Sequence, residues 1–273
     1  MCLPETLASA QSTISRRDLF KATAVAAVAA AAPSAIEAAP ERALRYRSVI
    51  DLTHVLGTQT PLFPGYNQVQ ISVNRSYQQD GYYANQLNFN EHSGTHIDSP
   101  RHFDPDGVSV DQIPPSRLIG PLAVIDVRER AGRDPDTLVT PDDLRAWERR
   151  YGRIPNGAVV IMNSGWATRI NNAQAFLNAD SGGTLHFPGW SKAATDLLIN
   201  ERNVIGIGVD TLSLDFGAST DFAVHYSWLP SGRWGLENVA NLADVPPHGA
   251  TLMVGAPKHY GGSGGPVRLL ALI

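Results

Sequence analysis

"SKAATDLLINERNVIGIGVDTLSLD", residues 191–215, sets a helix directly against a strand: 191–202 reads as a helix, and 203–215 as a strand whose apolar run has no charge until Asp210. "GAVVIMNSG" (157–165) and "GATLMVGAP" (249–257) are further apolar runs of strand length, and "PLAVIDVRE" (121–129) is nearly continuous. Between them, "TPDDLRAWERRYG" begins with Thr140 as a helix cap and Pro141 in the first turn, with Leu144, Trp147 and Tyr151 on one helical stripe. Apolar strands alternating with helices predict an α/β core. Upstream, "SVIDLTHVL" (48–56), "QVQISVNRSY" (68–77) and "YANQLNFNEH" (83–92) predict an antiparallel β region, the second alternating as a half-buried strand does. At the other end, the glycine-rich "GGSGGP" (261–266) precedes a strand-like "VRLLALI". No internal repeat or linker divides the region 40–273, which we read as one domain.

With 43% hydrophobic and 18% charged residues among 273, the chain has ample material for a large core. Its formal charge is −4, and Arg16, Arg17 and Lys21 balance Glu5, Asp18 and Glu37 in the first 39 residues, so the rest also carries −4. That excludes a basic footprint for nucleic acid. Residues 1–39 have another character. "SRRDLFK" (15–21) followed by the Ala/Val run 22–32 reads as a twin-arginine export signal cut near Ala38 or Ala39, the alternative being a plain N-terminal arm. The expected location is periplasmic or secreted, with no membrane attachment after processing. Cys2 is the sole cysteine, so a processed chain makes no disulfide, and any metal site in it must use nitrogen and oxygen ligands without thiolate.

Three of the eight histidines crowd into "NEHSGTHIDSPRHF", residues 90–103. Gly94, Pro100, Thr95 and Ile97 argue against a helix here. In an extended chain His92, His96, Asp98 and His102 share one face. A straight strand, at about 3.3 Å per residue, holds His92 and His96 too far apart for two bonds of about 2.1 Å to one ion. The segment must therefore bend, and Gly94 is the residue to bend it. The bland alternative, ordinary polar residues on a solvent face, does not account for so dense a cluster. His92, His96 and Asp98 are the expected ligands of a divalent ion. His102 is expected to act as general base or proton shuttle, with ligation as its alternative role.

These residues, "HSGTHIDSPRHF", resemble the H-x-G-T-H-x-D-x-P-x-H-F signature of the cyclase family, which includes bacterial kynurenine formamidases and isatin hydrolases. "DLTHVLGTQTPLFPG", "NSGWA", "FPGWSKAATDLL", "GVDTLSLD" and "GGSGGPVRLLALI" are similar to the family's other segments. The resemblance implies a swivelling β/β/α domain with a mixed β-sheet core and flanking helices, commonly dimeric, acting on a small molecule. It also implies that Asp98 bridges to a second ion completed by His225 and Glu237, although single-metal members keep a count of one or two open. Zinc and manganese both suit such donors. The implied activity is hydrolysis of an amide, lactam, imide or lactone, of isatin type or, alternatively, of N-formylkynurenine. Phe63, Phe103 and Trp166, with Tyr66, sit in or beside the matched segments as candidate walls for a flat substrate. A non-catalytic metal-binding protein and a lyase or true cyclase are the competing readings. "GGSGG" around Ser263 formally fits a serine-nucleophile pattern but lacks its strand-then-helix context.

Overall fold

The computed structural model describes residues 44–273; Cys2, the twin arginines and the expected cleavage point lie outside the described residues. The described residues form thirteen strands: β1 (Val49–Asp51), β2 (Gln70–Arg75), β3 (Ala84–Asn88), β4 (His96–Asp98), β5 (Ile119–Asp126), β6 (Leu138–Val139), β7 (Ala158–Asn163), β8 (Gly189–Trp190), β9 (Val204–Val209), β10 (Trp234–Glu237), β11 (Thr251–Gly255), β12 (Gly264–Pro266) and β13 (Arg268–Leu272). Nine of them make one sheet in the order β1-β13-β11-β5-β7-β9-β10-β4-β12. The central pairs β5–β7, β7–β9 and β9–β10 are parallel, whereas β4 pairs antiparallel with both β10 and β12. The fold is thus α/β with a mixed sheet, as expected.

Its apolar runs follow from burial on both faces. Along β7, Ala158, Val160 and Met162 face a core shared with Trp147, Trp190 and Trp228, while Val159 and Ile161 face a second core with Leu52, Trp234 and Leu252. The helices Pro141–Tyr151 and Lys192–Glu201 contribute Leu144, Trp147, Leu197 and Leu198 to the first of these cores. Thr140 and Asp143 form a reciprocal cap on the former, and Ser191 accepts from the Ala194 N–H on the latter.

Three expectations change. The opening run yields only three strand residues, Val49–Asp51, and these pair with β13. β2 and β3 do pair, but as a separate two-stranded ribbon whose β2 residues are all exposed, because no other described element covers either face. β9 ends at Val209, since the Asp210 carboxylate turns to accept from the backbone N–H groups of Ser164 and Trp166 at 3.0 and 2.9 Å.

Two contacts give tests. Arg202 donates to both oxygens of Glu148 at 2.7 Å with both side chains largely buried, tying the end of one helix to the other. The Arg202 guanidinium holds Glu148 below the usual carboxylate range. Its stabilisation is therefore complete above the unfolded-state value and lost as pH falls through the depressed one. Glu148→Gln should cost about 1–3 kcal/mol near neutrality, and the deficit should shrink in acid, as denaturant melts across pH would reveal. At Gly206 in β9 an added methyl would overlap the Trp234 ring. Gly206→Ala should lower stability by roughly 1–3 kcal/mol, measured by the same melts.

Candidate active site

β4 supplies two of the site's groups through simple register. His96 stands directly opposite Glu237 of β10, and Asp98, two residues on, projects from the same face. The chain before β4 folds back as the sequence demands: Gly94 adopts φ +64 in the left-handed region, where a side chain is strained. The turn is pinned by the Asn90 side chain, which accepts from the His92 N–H at 2.9 Å, and by Thr95, which donates to the Asn238 carbonyl at 2.6 Å. It carries the His92 ring to within 5.2 Å of the His96 ring, centroid to centroid. His225 arrives from the short helix Ala223–Trp228, whose first N–H groups at Val224 and His225 are received by the Asp215 carboxylate at 2.8 and 3.1 Å.

The outer nitrogens of the rings are all occupied. His96 Nδ1 lies 2.8 Å from the Gly94 carbonyl, His225 Nδ1 lies 2.6 Å from Asp215 Oδ2, and His92 Nε2 lies 2.9 Å from Ser263 Oγ. The Gly94 carbonyl and the Asp215 carboxylate, which only accept, place a hydrogen on the outer nitrogens of His96 and His225, and all three contacts turn the inner ring nitrogens toward two carboxylates. His92 Nδ1 sits 2.7 Å from Asp98 Oδ1; His96 Nε2 sits 3.3 Å from Asp98 Oδ1 and from Glu237 Oε2; His225 Nε2 sits 3.3 Å from Glu237 Oε1 and 3.7 Å from Asp98 Oδ2. Without an added proton or metal ion, acceptors would face acceptors in a region from which water is excluded, Asp98 being 0% and His96 1% exposed.

Such a cluster requires positive charge. Burial opposes a proton on His96, yet Asp98 and Glu237 raise it to about 10. Burial likewise opposes charge on His225, and Asp215, Asp98 and Glu237 overcome it, lifting it well above its ordinary value. Two atoms bound at about 2.1 Å to one ion lie roughly 3.0–3.4 Å apart, close to the spacings of 3.3 Å found here. His96 Nε2 and Asp98 Oδ2 are buried without a hydrogen-bond partner despite these neighbours. The residues present therefore fit a divalent metal, in two groups that share Asp98: His92, His96 and Asp98, and Asp98, His225 and Glu237.

Beside this cluster opens a cleft of about 120 Å³, lined by Phe63, Tyr66, Phe103 and Phe222 together with His92, His102, His225 and Glu237. His102, at the end of the 3₁₀ turn Pro100–His102, stacks its ring on His92 with centroids 3.8 Å apart. Burial pushes His102 down to about 4, and Asp98 nearby offsets part of this, so the imidazole is neutral at physiological pH. Burial, with Glu237 and Asp98 adding to it, raises Tyr66, whose phenol stays protonated as a donor.

Of the expected substrate residues, Phe63 and Phe103 reach the cleft and Trp166 does not. Its indole is 1% exposed in a satellite core with Phe176, Leu185, Phe187 and Leu212, and its Nε1–H donates to the Phe176 carbonyl at 2.8 Å. The cation Arg169 lies 3.6 Å from that ring's centre. Phe222, Leu212 and Ser213 line the cleft without having been singled out from the sequence; Leu212 and Ser213 follow the end of β9, where α/β sheets place their sites.

The chain matches the cyclase family over residues 50–216, more than half of its 273. It is 35% identical to isatin hydrolase of Roseibium aggregatum over 242 residues, 82% of this chain and 91% of that protein. Kynurenine formamidase of Salinibacter ruber is 26% identical over 223 residues, 81% of this chain and 95% of that one. A crystal structure of an isatin hydrolase bound to the product analogue thioisatinate superposes with a TM-score of 0.79 at 34% identity, covering 82% of this chain and 92% of that chain. On this sequence match and this shared architecture, the chain belongs to the cyclase family.

Proposed function

We propose that the protein is a metal-dependent hydrolase that opens a small cyclic amide fused to an aromatic ring, of the isatin type. The observation that carries this reading is the adjacency of a buried, electron-rich donor cluster to an aromatic cleft, with neutral His102 between them. The likeness to isatin hydrolase over most of both chains supports it. A divalent metal held by His92, His96, Asp98, His225 and Glu237 would polarise the scissile carbonyl and bring the pKa of water from 15.7 toward about 7.

The chain's own groups supply the rest. Phe63, Phe103 and Phe222 hold a flat ring against the donors and exclude water from its faces. His102 accepts one proton of the attacking water at a ring nitrogen and returns it to the departing amide nitrogen, so the C–N bond breaks to a neutral amine and a carboxylic acid, which ionises by losing its proton to solvent. Tyr66, kept protonated, donates a hydrogen bond to a substrate oxygen. Five donor residues in two groups favour two ions sharing Asp98, and nitrogen and oxygen donors accommodate zinc and manganese alike. The Salinibacter relative favours a second reading, an open-chain formamide such as N-formylkynurenine.

We also propose that the protein is a homodimer. The β2–β3 ribbon exposes Ile71, Val73 and Leu87, with Phe89 exposed just beyond it, and a lone two-stranded ribbon is marginal in water unless something covers it. Export by the twin-arginine route, read from residues 15–32, is a further proposal.

Turnover of isatin and N-formylkynurenine, with and without chelator, tests the reaction. Isatin should be opened with addition of one water, chelation should abolish activity, and His96→Ala should do the same; unimpaired turnover by chelator-stripped protein sinks the reading. His102→Asn should reduce kcat by about 10²–10⁴-fold while leaving metal content intact. Elemental analysis should return two ions per chain. Sedimentation should give a dimer that Val73→Lys weakens.

A further inference from the structure

Ser263, at the centre of "GGSGG", is left over by the hydrolytic reading and is not among the residues lining the cleft. We propose that Ser263 is a positioning residue that sets which nitrogen of His92 faces the metal, with Glu91 and His259 holding Ser263 in turn; this rests on the metal-dependent reading above. The Ser263 hydroxyl lies 2.5 Å from Glu91 Oε2, and its backbone N–H donates to the same oxygen at 3.0 Å. The other carboxylate oxygen, Oε1, lies 2.6 Å from His259 Nε2.

Direction follows from what each group can do. An ionised carboxylate only accepts, so the single hydroxyl hydrogen of Ser263 goes to Glu91. The serine oxygen then offers only lone pairs to His92 Nε2, 2.9 Å away, and the ring's hydrogen must sit on that nitrogen. Nδ1 is left bare, aimed at Asp98 Oδ1 at 2.7 Å. The same arrangement disarms Ser263 as a nucleophile, because its hydroxyl contacts the outer edge of the His92 ring and its hydrogen is committed to Glu91.

The glycines have a matching purpose. A methyl at Gly264 would lie 2.7 Å from His92 Cε1 and inside contact distance of the Ile97 carbonyl; one at Gly262 would overlap the His259 ring, and one at Gly265 would overlap Pro257. Only a loop without side chains at these positions can lie against β4 and present one hydroxyl to the ring. Ser99 secures the loop from the other side, donating its N–H and its hydroxyl to the Ser263 carbonyl, both at 2.8 Å.

Zn²⁺ titrated calorimetrically into chelator-stripped full-length protein tests the assignment. Ser263→Ala should weaken Zn²⁺ binding about 10–100-fold, and its loss of turnover should close as Zn²⁺ is raised. Glu91→Ala, which frees the hydroxyl to turn away, should weaken Zn²⁺ binding in the same direction, whereas Glu91→Gln, which keeps an acceptor oxygen, should bind within a few-fold of wild type. The double variant Ser263→Ala/Glu91→Ala should bind no more weakly than Ser263→Ala alone, because both act through one ring. Losses that add, or Zn²⁺ affinity unchanged in Ser263→Ala while wild type binds tightly, overturn the assignment and leave the hydrolase reading standing. Turnover abolished at every Zn²⁺ concentration with unchanged affinity would make Ser263 a nucleophile instead. Wild-type protein that takes up neither Zn²⁺ nor Mn²⁺ overturns both. Should Ser263→Ala fail to fold, the contrast between Glu91→Ala and Glu91→Gln decides.

Discussion

Three imidazole lone pairs pointed at two carboxylates inside a protein form an arrangement that cannot persist neutral and alone. Each ring is held on its far side, His96 by a carbonyl, His225 by Asp215 and His92 by Ser263, so a neutral ring cannot carry its one hydrogen inward without giving up that bond. The repulsion this creates is resolved only by positive charge between the groups, and the scaffold is arranged around supplying a place for it.

That place is made by the sheet. β4 is only three residues long, but it lies between β10 and β12, and its pairing sets Glu237 beside His96 and Gly264 beside Asp98. The parallel strands behind it, buried on both faces by large side chains, give β10 a rigid neighbour in β9. The close approach of Gly206 to Trp234 serves the same end, because it fixes the distance between those two strands. The irregular parts of the chain, the turn before β4 and the loop before β12, are where the groups with chemical roles sit.

How much of this could be read from the sequence depends on distance along the chain. His92, His96, Asp98 and His102 are crowded locally, and the need for a bend at Gly94 followed from bond lengths alone. The central strands and the helix capped by Thr140 were legible because their patterns are local too. His225 and Glu237 carry no such signal: they meet the others through strand register and through Asp215, and only the family resemblance pointed to them. The Ser263 hydroxyl, 171 positions from His92, was visible only as a motif whose ordinary meaning did not apply. Trp166 was misplaced because nearness in sequence to a strand end does not say which way a side chain turns. The alternation in β2 correctly marked a strand, but alternation assumes that one face is covered, and no described element covers it.

The position of β12 has a consequence for the order of folding. The turn holding His92 is made early in translation, but the strand and hydroxyl that complete its surroundings belong to residues 263–266. Contacts so far apart raise the contact order and slow folding, and β4 keeps an open edge until β12 pairs with it. The donor cluster is thus completed late in folding, because His92 meets its Ser263 partner only when that long-range pairing has formed.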